Sequence, residues 1–385
     1  MKKIVIAGPI SNYGGREIEV NIILKSLQDN YDLNVLSMSY IIENSFALQG
    51  VSKVKWTSLD RILYSKNKVI KLISRFSKFF NKGNKEPFAY VNNSLTKKLI
   101  NLDQWYLKEI KNQLSDADCV ILCVQLTSKF LPEIVEFCHQ KNIPCLVRTT
   151  GTIRQVEQNS FDFLKKVTLF IHHSEANAKN LNQQIQLPYR VIDQCAMAEE
   201  SLLLVSEKPS TPLRFGYLGR LSPEKGILPL IDFFSSTNII FLFAGNGPQK
   251  EAILQRTKNA TNCTYLGLIN SDEIASFFEK IDVLIIPSYE ESGPLVGLEA
   301  MAAGKIIIST DVGAMKERLN GLPTFWFDVD DQNSLQSAIS QISALSETEI
   351  LDLKQSIKQR YLEKYNLKAI AHQYQQLVAE CTHDD

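Results

Sequence analysis

An excess of charge of either sign is missing from this chain. Its 385 residues carry 42 Lys and Arg against 42 Asp and Glu, a formal net charge of zero. A general nucleic-acid binder shows a basic excess, so that class is disfavoured and no nucleic-acid partner is expected. No apolar run approaches the ~20 residues of a membrane-spanning helix. The opening stretch, Met1 to Gly8, is too short in its apolar part for a secretion signal and reads as a first strand. The seven cysteines, at 119, 123, 138, 145, 195, 263 and 381, are an odd set without metal-ligand pairing. Cys119 and Cys123 have C-x3-C spacing, but inside a strand-like run they read as core. A reducing compartment, the cytoplasm, is expected. Also absent is a convincing G-x-G-x-x-G turn with an acidic residue ~20 positions on, which a dehydrogenase would need.

What is present centres on Ile281 to Thr310, IDVLIIPSYEESGPLVGLEAMAAGKIIIST. Val283 to Ile286 has the length and branching of a buried parallel strand. Pro287-Ser288-Tyr289 ends it, and Glu290 to Gly293 forms a polar loop. Pro294 stands where a helix would start, since its fixed φ suits the first turn and its missing N–H costs nothing there. Leu295, Leu298, Ala302 and Ala303 fall on helical spacing, Gly304 supplies a stop, and Lys305 to Ser309 is the next strand. The loop thus lies at the carboxyl end of a sheet, where doubly wound folds bind ligands. Glu291 and Glu299, with seven residues between them, can both face one ligand lying across the helix N-terminus. Carboxylates there suit sugar or ribose hydroxyls. The bland alternative is a solvated loop Glu and a helix-surface Glu. Against it, Glu299 is flanked by Val296-Gly297-Leu298 and Ala300-Met301-Ala302-Ala303, and a charge so placed usually has a partner.

Upstream, Glu207 to Pro212 is a Pro-rich polar linker and the expected domain boundary. After a strand at Leu213 to Leu218 comes Gly219-Arg220-Leu221-Ser222-Pro223-Glu224-Lys225-Gly226. Arg220 offers a planar fork for phosphate oxygens and Lys225 a point charge, so the pair can hold a diphosphate and stabilise charge as it leaves. Taken alone, such a loop is more often simply solvated. In the first half, strands are expected at Lys3 to Ala7, Val120 to Val124, Cys145 to Arg148, Leu169 to Ile171 and Val191 to Ala196. Gly14-Gly15 opens a helix from Arg16 to Leu27, where bare backbone can approach a phosphate or a bound sugar. Ser174 is the expected N-cap of a helix following His172-His173. Adjacent histidines on a strand point to opposite faces and no acidic or Cys partner is near, so no metal is assigned.

Residues 61–85 hold eight Lys or Arg and no Asp or Glu. As one helix ended by Gly83, they put Val69, Leu72, Ile73, Phe76 and Phe80 on one face and Lys68, Lys71, Arg75, Lys78 and Lys82 on another. Two readings stay open: peripheral contact with an anionic membrane, or a domain helix whose apolar face packs inward.

The E-x7-E pattern followed by Ala300-Met301-Ala302-Ala303-Gly304, with G-R-x-x-x-x-K-G 71 residues before Glu291, resembles the retaining glycosyltransferases of family 4. That resemblance implies an α/β protein of GT-B fold, with two Rossmann-like doubly wound domains facing across a cleft. The boundaries are 1–206 for the acceptor domain and 212–365 for the nucleotide-sugar donor domain, with a helix at about 366–381 packing back on the first. It implies that Arg220 and Lys225 hold the leaving diphosphate, Glu299 the ribose hydroxyls and Glu291 the donor-sugar hydroxyls. Gly245, Asn246 and Gly247 resemble the family's G-x-G-P turn and, with Leu268, Gly293, Pro294, Leu295, Gly14 and Gly15, complete the expected donor contacts. Thr150, Gly151 and His173 fall on the acceptor or sugar side.

The chain departs from the family at three places: Gly293-Pro294 for Phe-Gly, Thr150-Gly151 for His-Gly, and Ile192-Asp193-Gln194-Cys195 for Pro-Asn-Gly. A hydroxyl at 150 cannot titrate near neutrality, so any mechanism that uses a His there is in doubt. The expected partners are a nucleotide-sugar donor, UDP-linked, and a saccharide or lipid-linked acceptor in cell-surface polysaccharide or glycolipid synthesis. No cofactor or metal is expected, and Asp328-Val329-Asp330 reads as loop. The alternative function is a non-catalytic nucleotide-sugar-binding partner of another transferase.

Overall fold

A computed structural model describes residues 1–153 and 155–382. The chain divides into two compact units. One comprises Met1–His172, Ala178–Ile192 and the chain from Ala371. The other comprises His173–Asn177 and Asp193–Ile370.

The first unit is built on seven parallel strands: β1 (Lys3–Gly8), β2 (Asp32–Ser37), β3 (Val54–Ser58), β4 (Cys119–Val124), β5 (Cys145–Thr149), β6 (Leu169–His172) and β7 (Tyr189–Val191). Their spatial order is β3-β2-β1-β4-β5-β6-β7. All six residues of β4 are buried, as expected for a strand covered on both faces, and Cys119 and Cys123 are core side chains. The order reverses between β1 and β4, which makes the ends of those strands the switch point of this sheet.

β7 ends sooner than the sequence suggested. Ile192 makes the last ladder bond, to the His172 carbonyl at 3.0 Å. Asp193 then belongs to the other unit, where its carboxylate answers a buried arginine. A buried network closes the first unit: Arg148 donates to Glu19 at 2.9 Å and to the Ile192 carbonyl at 2.6 Å, and Tyr374 donates to Glu19 at 2.6 Å. Tyr374 lies on the last helix, Leu367–Thr382, and so fixes that helix to this unit. Removing Arg148 or Glu19 would take from a buried charge its opposite partner, a loss of about 3–5 kcal/mol.

The second unit has six parallel strands: β8 (Phe215–Leu218), β9 (Phe241–Ala244), β10 (Cys263–Tyr265), β11 (Val283–Ile286), β12 (Ile306–Ser309) and β13 (Phe325–Trp326). They run β10-β9-β8-β11-β12-β13, with the reversal between β8 and β11. Phe215, Phe234, Phe241, Phe243, Phe277 and Phe278 fill its core, with Phe234 and Phe241 stacked at 4.2 Å. The chain joins this unit at Asp193, ahead of the 207–212 stretch, because Ala196, Leu202 and Val205 are already part of its core.

The basic segment differs from the single helix read in the sequence. It forms two helices, Leu59–Lys66 and Lys68–Phe80, broken at Asn67. The Asn67 side chain accepts from the Val69 and Ile70 N–H groups and so starts the second helix. No helix among the described residues is long and apolar enough to cross a membrane.

Candidate functional site

The switch point of the second sheet positions two loops. One, 219–226, leaves β8; the other, 287–294, leaves β11. They are tied by the Tyr289 N–H donating to the Glu224 carbonyl at 3.0 Å. Gly226 has φ +62°, and a Cβ there would overlap the Pro287 carbonyl oxygen, so only glycine permits this approach. The result joins the two halves of the sequence signature. Lys225 Nζ forms an ion pair with Glu291, whose side chain also accepts from Ser288 Oγ at 3.2 Å. Both members are partly shielded, at 24% and 16% side-chain exposure, so solvent screens the pair incompletely. Burial pushes the Tyr217 phenol well above its ordinary range, with the Glu291 and Glu224 charges adding to the effect. Its hydroxyl donates to the Arg220 carbonyl at 2.7 Å. The Arg220 guanidinium itself is exposed and makes no hydrogen bond or ion pair among the described residues.

The turn after β9 is stitched to the first loop. Gly245 has φ +136° and a Cβ would overlap the Gly219 carbonyl oxygen. The Leu221 N–H donates to the Asn246 carbonyl at 3.0 Å, and Gly247 packs on the Leu221 backbone. Gly245 N–H donates to the Gly267 carbonyl at 2.8 Å, which brings in the segment carrying Leu268, itself 64% exposed. Arg220, Lys225, Gly245, Asn246, Gly247 and Leu268 thus lie along one carboxyl edge with Glu291.

The helix after the second loop is Leu295–Ala302, so Pro294 precedes it and does not form its first turn. Glu299 sits within this helix at 5% exposure. Its carboxylate makes no hydrogen bond or ion pair among the described residues, and burial alone raises its pKa from 4.5 to about 7. A carboxylate so buried and so unanswered is ready for hydroxyl donors that the protein does not supply.

Arg318 was not singled out in the sequence. It is fully buried, meets both Asp193 oxygens at 2.7 and 2.8 Å, and donates to the Pro294 carbonyl at 2.6 Å. It therefore fixes the start of the Glu299 helix. Nothing in Lys316-Glu317-Arg318 marks it; only burial does. His173 is brought to the same place: a Cβ on Gly293 would lie 3.4 Å from the His173 Cβ and 3.2 Å from Arg318 Nη2. Ser174 Oγ accepts from the Asn177 N–H at 3.1 Å, the cap read from the sequence. Asp330 accepts from the Tyr289 hydroxyl at 2.7 Å in a loop, and no cluster of metal-ligating side chains occurs among the described residues.

The remaining candidates lie in the first unit. Gly14 precedes the helix Gly15–Leu27, and a Cβ on Gly15 would meet nothing within 4 Å. Arg16, also missed in the sequence, donates to Thr150 Oγ1 at 3.4 Å and to the Pro9 carbonyl at 3.0 Å. It links Gly14-Gly15 to Thr150-Gly151 at the carboxyl edge of the first sheet.

These two sheets, each with its ligand-type loops at the carboxyl edge, are those of a GT-B glycosyltransferase fold. Residues 201–360, most of the second unit, match the model for glycosyl transferases group 1. Sucrose-phosphate synthase from Thermosynechococcus elongatus aligns over 99% of both chains with a TM-score of 0.71 and 16% identity. HepE of Anabaena, solved in complex with UDP, aligns over 99% of this chain and 100% of its own with a TM-score of 0.73 and 15% identity. In sequence, the chain is 28% identical over 178 residues to the lipopolysaccharide 1,2-N-acetylglucosaminetransferase of Salmonella typhimurium, 42% of this chain and 46% of that one. Such alignments span under half the length of the curated relatives. Together the family model and the relatives support the GT-B glycosyltransferase superfamily.

Proposed function

We propose that the chain is a retaining, family 4 glycosyltransferase. It moves a hexosyl group from a UDP-linked donor to a saccharide or lipid-linked acceptor in cell-surface polysaccharide or glycolipid synthesis. The observation that carries this reading is the Glu299 carboxylate, buried without a protein partner beyond a loop that holds Glu291 against Lys225. Arg220 and Lys225 receive the diphosphate, Glu299 accepts from the ribose hydroxyls, and Glu291 from hydroxyls of the donor sugar. The backbone of Gly245 to Gly247 lines the nucleotide, the Leu268 segment the base, and Gly293 to Leu295 the phosphate side of the sugar. Gly14 and Gly15 complete the donor contacts, and Thr150, Gly151 and His173 serve the acceptor or sugar side. Relatives support the choice of donor and setting: HepE has been solved with UDP-glucose, and the Salmonella relative is named for lipopolysaccharide.

In the transfer, the bond from C1 to the phosphate oxygen breaks and the diphosphate takes the electron pair. The acceptor oxygen bonds C1 from the same face, and its proton passes to the departing phosphate oxygen. Thr150 is no general base near neutrality, so the phosphate takes that role. Two side-chain cations from one loop, Arg220 and Lys225, take up the growing negative charge and make a divalent metal unnecessary. The cysteines, all free thiols, suit a reducing cytoplasm. Incubation with UDP-glucose, UDP-galactose, UDP-N-acetylglucosamine and GDP-mannose, with and without acceptors and chelator, tests the whole reading. A UDP sugar is turned over with its anomeric configuration kept and the rate unchanged by chelation. An inverted product, or activity lost to chelator and restored by manganese, overturns it.

A further inference from the structure

The helix Lys68–Phe80 is attached by a narrow edge. Of its residues only Ile70 and Ser74 are buried. Val69, Leu72, Phe76, Phe79 and Phe80 are exposed, the last two at 78% and 77%. At 100° per residue, these five side chains and Ile73 cover a stripe about 120° wide, and Lys68, Arg75, Lys71 and Lys78 form the adjoining sector, with Lys82 just past the helix end. The helix Ser94–Leu99, which packs beside it, exposes Leu95 and Leu99 together with Lys97 and Lys98. Seven of the thirteen exposed large hydrophobic residues among the described residues therefore lie on these two helices. A concentration of this kind marks an interaction surface, since exposed apolar residues are otherwise scattered singly.

The charge decides what the surface meets. None of Lys68, Lys71, Arg75, Lys78, Lys82 and Lys85 has an ion-pair partner among the described residues. In a chain of zero net charge, this segment is cationic without a single acid from 61 to 85. A second copy of the same face would set cation against cation. An anionic bilayer instead offers phosphate headgroups to the lysines and an acyl boundary to the phenylalanines. We infer that the helices Lys68–Phe80 and Ser94–Leu99 form a peripheral docking surface for anionic lipid, lying in the headgroup plane. The inward-packing alternative does not hold, because the apolar stripe faces solvent. The inference is independent of the donor chemistry in the other unit.

Flotation of the full chain with phosphatidylcholine vesicles, with and without about one third phosphatidylglycerol, tests it. The protein floats with the anionic vesicles, stays behind with neutral ones, and is released by high salt. The triple variant Phe76→Ser, Phe79→Ser, Phe80→Ser lowers partitioning by at least about a hundredfold. Lys68→Gln, Lys78→Gln, Lys82→Gln lowers it by about fivefold per lysine, with thermal melting unchanged. Phe79→Ser alone keeps the test readable should the triple variant fail to fold. Equal binding to neutral vesicles, unchanged binding of the phenylalanine variants, or self-association through this face without vesicle binding would overturn the assignment.

Discussion

Glu299→Gln separates the roles of burial and charge at the candidate site. In the free protein the Glu299 carboxyl titrates near 7, raised by burial from 4.5. At about 1.4 kcal/mol per pH unit, the ionised form carries a penalty on the order of 3 kcal/mol relative to the unfolded chain. The sign follows from where the proton sits. The folded state holds it more tightly, so this contribution to stability is fully present below pH 4.5 and is lost as pH rises through 7. On the proposed reading ribose hydroxyls donate to the ionised form, so nucleotide binding is expected to favour the carboxylate and to strengthen over the same rise. Between pH 6 and pH 8, about tenfold in UDP affinity is expected from this group, with about half a proton released per UDP bound at pH 7. Glu299→Gln removes both the pH step and the charge-assisted bonds, weakening UDP at pH 8 by about 1.5–3 kcal/mol. Titration calorimetry in buffers of different ionisation enthalpy measures affinity and proton count together. The terminal phosphate of UDP titrates in the same range, so the difference between the two proteins carries the prediction. Equal proton release and parallel pH profiles would show that Glu299 does not meet the nucleotide.

Other perturbations follow from the same geometry. Lys225→Ala and Arg220→Ala each lower turnover more than donor affinity, by about 3 kcal/mol in activation free energy, because the cations act on charge that grows as the diphosphate leaves; initial rates over a range of donor concentrations check this. Glu291→Gln keeps normal UDP affinity yet transfers poorly, and the reverse behaviour of the two glutamates in calorimetry would exchange their roles. Gly226→Ala forces a Cβ onto the Pro287 carbonyl and a side chain into φ +62°, so a melting temperature lowered by several degrees is expected. Arg318→Met loses the tie to Pro294 and leaves Asp193 buried without its cation, a loss of about 3–5 kcal/mol read by denaturant unfolding.

What could be read without coordinates was whatever is local and periodic. Val283 to Ile286 appears as a strand at the expected residues, because buried parallel strands are written as short unbroken apolar runs. The pairing of Lys225 with Glu291 was not written anywhere. It arises because β8 and β11 are neighbours at the switch point although 64 residues separate Leu218 from Val283. Arg318 and Asp193 were invisible for the same reason: their bond spans 125 positions, and each alone looks like a surface charge. The stripe at Val69 to Phe80 gave its amphipathic period, but the period does not say which side the domain covers. Only Ile70 and Ser74, off the main stripe, turned out to be the buried edge.

The salt bridge between Arg318 and Asp193 also bears on modularity. The group 1 family match begins at residue 201 and the Pro-rich stretch at Glu207, so either would invite a cut when grafting the second unit onto another protein's first unit. Such a cut discards Asp193 and leaves an arginine with 0% side-chain exposure facing no anion. It also discards Glu175 and Ala176, whose N–H groups are satisfied by the Glu317 carboxylate at 2.9 and 3.1 Å. The heritable cassette is therefore longer than its recognisable motif and is interrupted in sequence. Recombination that respects it must carry the 173–177 turn and begin no later than Asp193, which restricts how freely the two units of this chain can be shuffled.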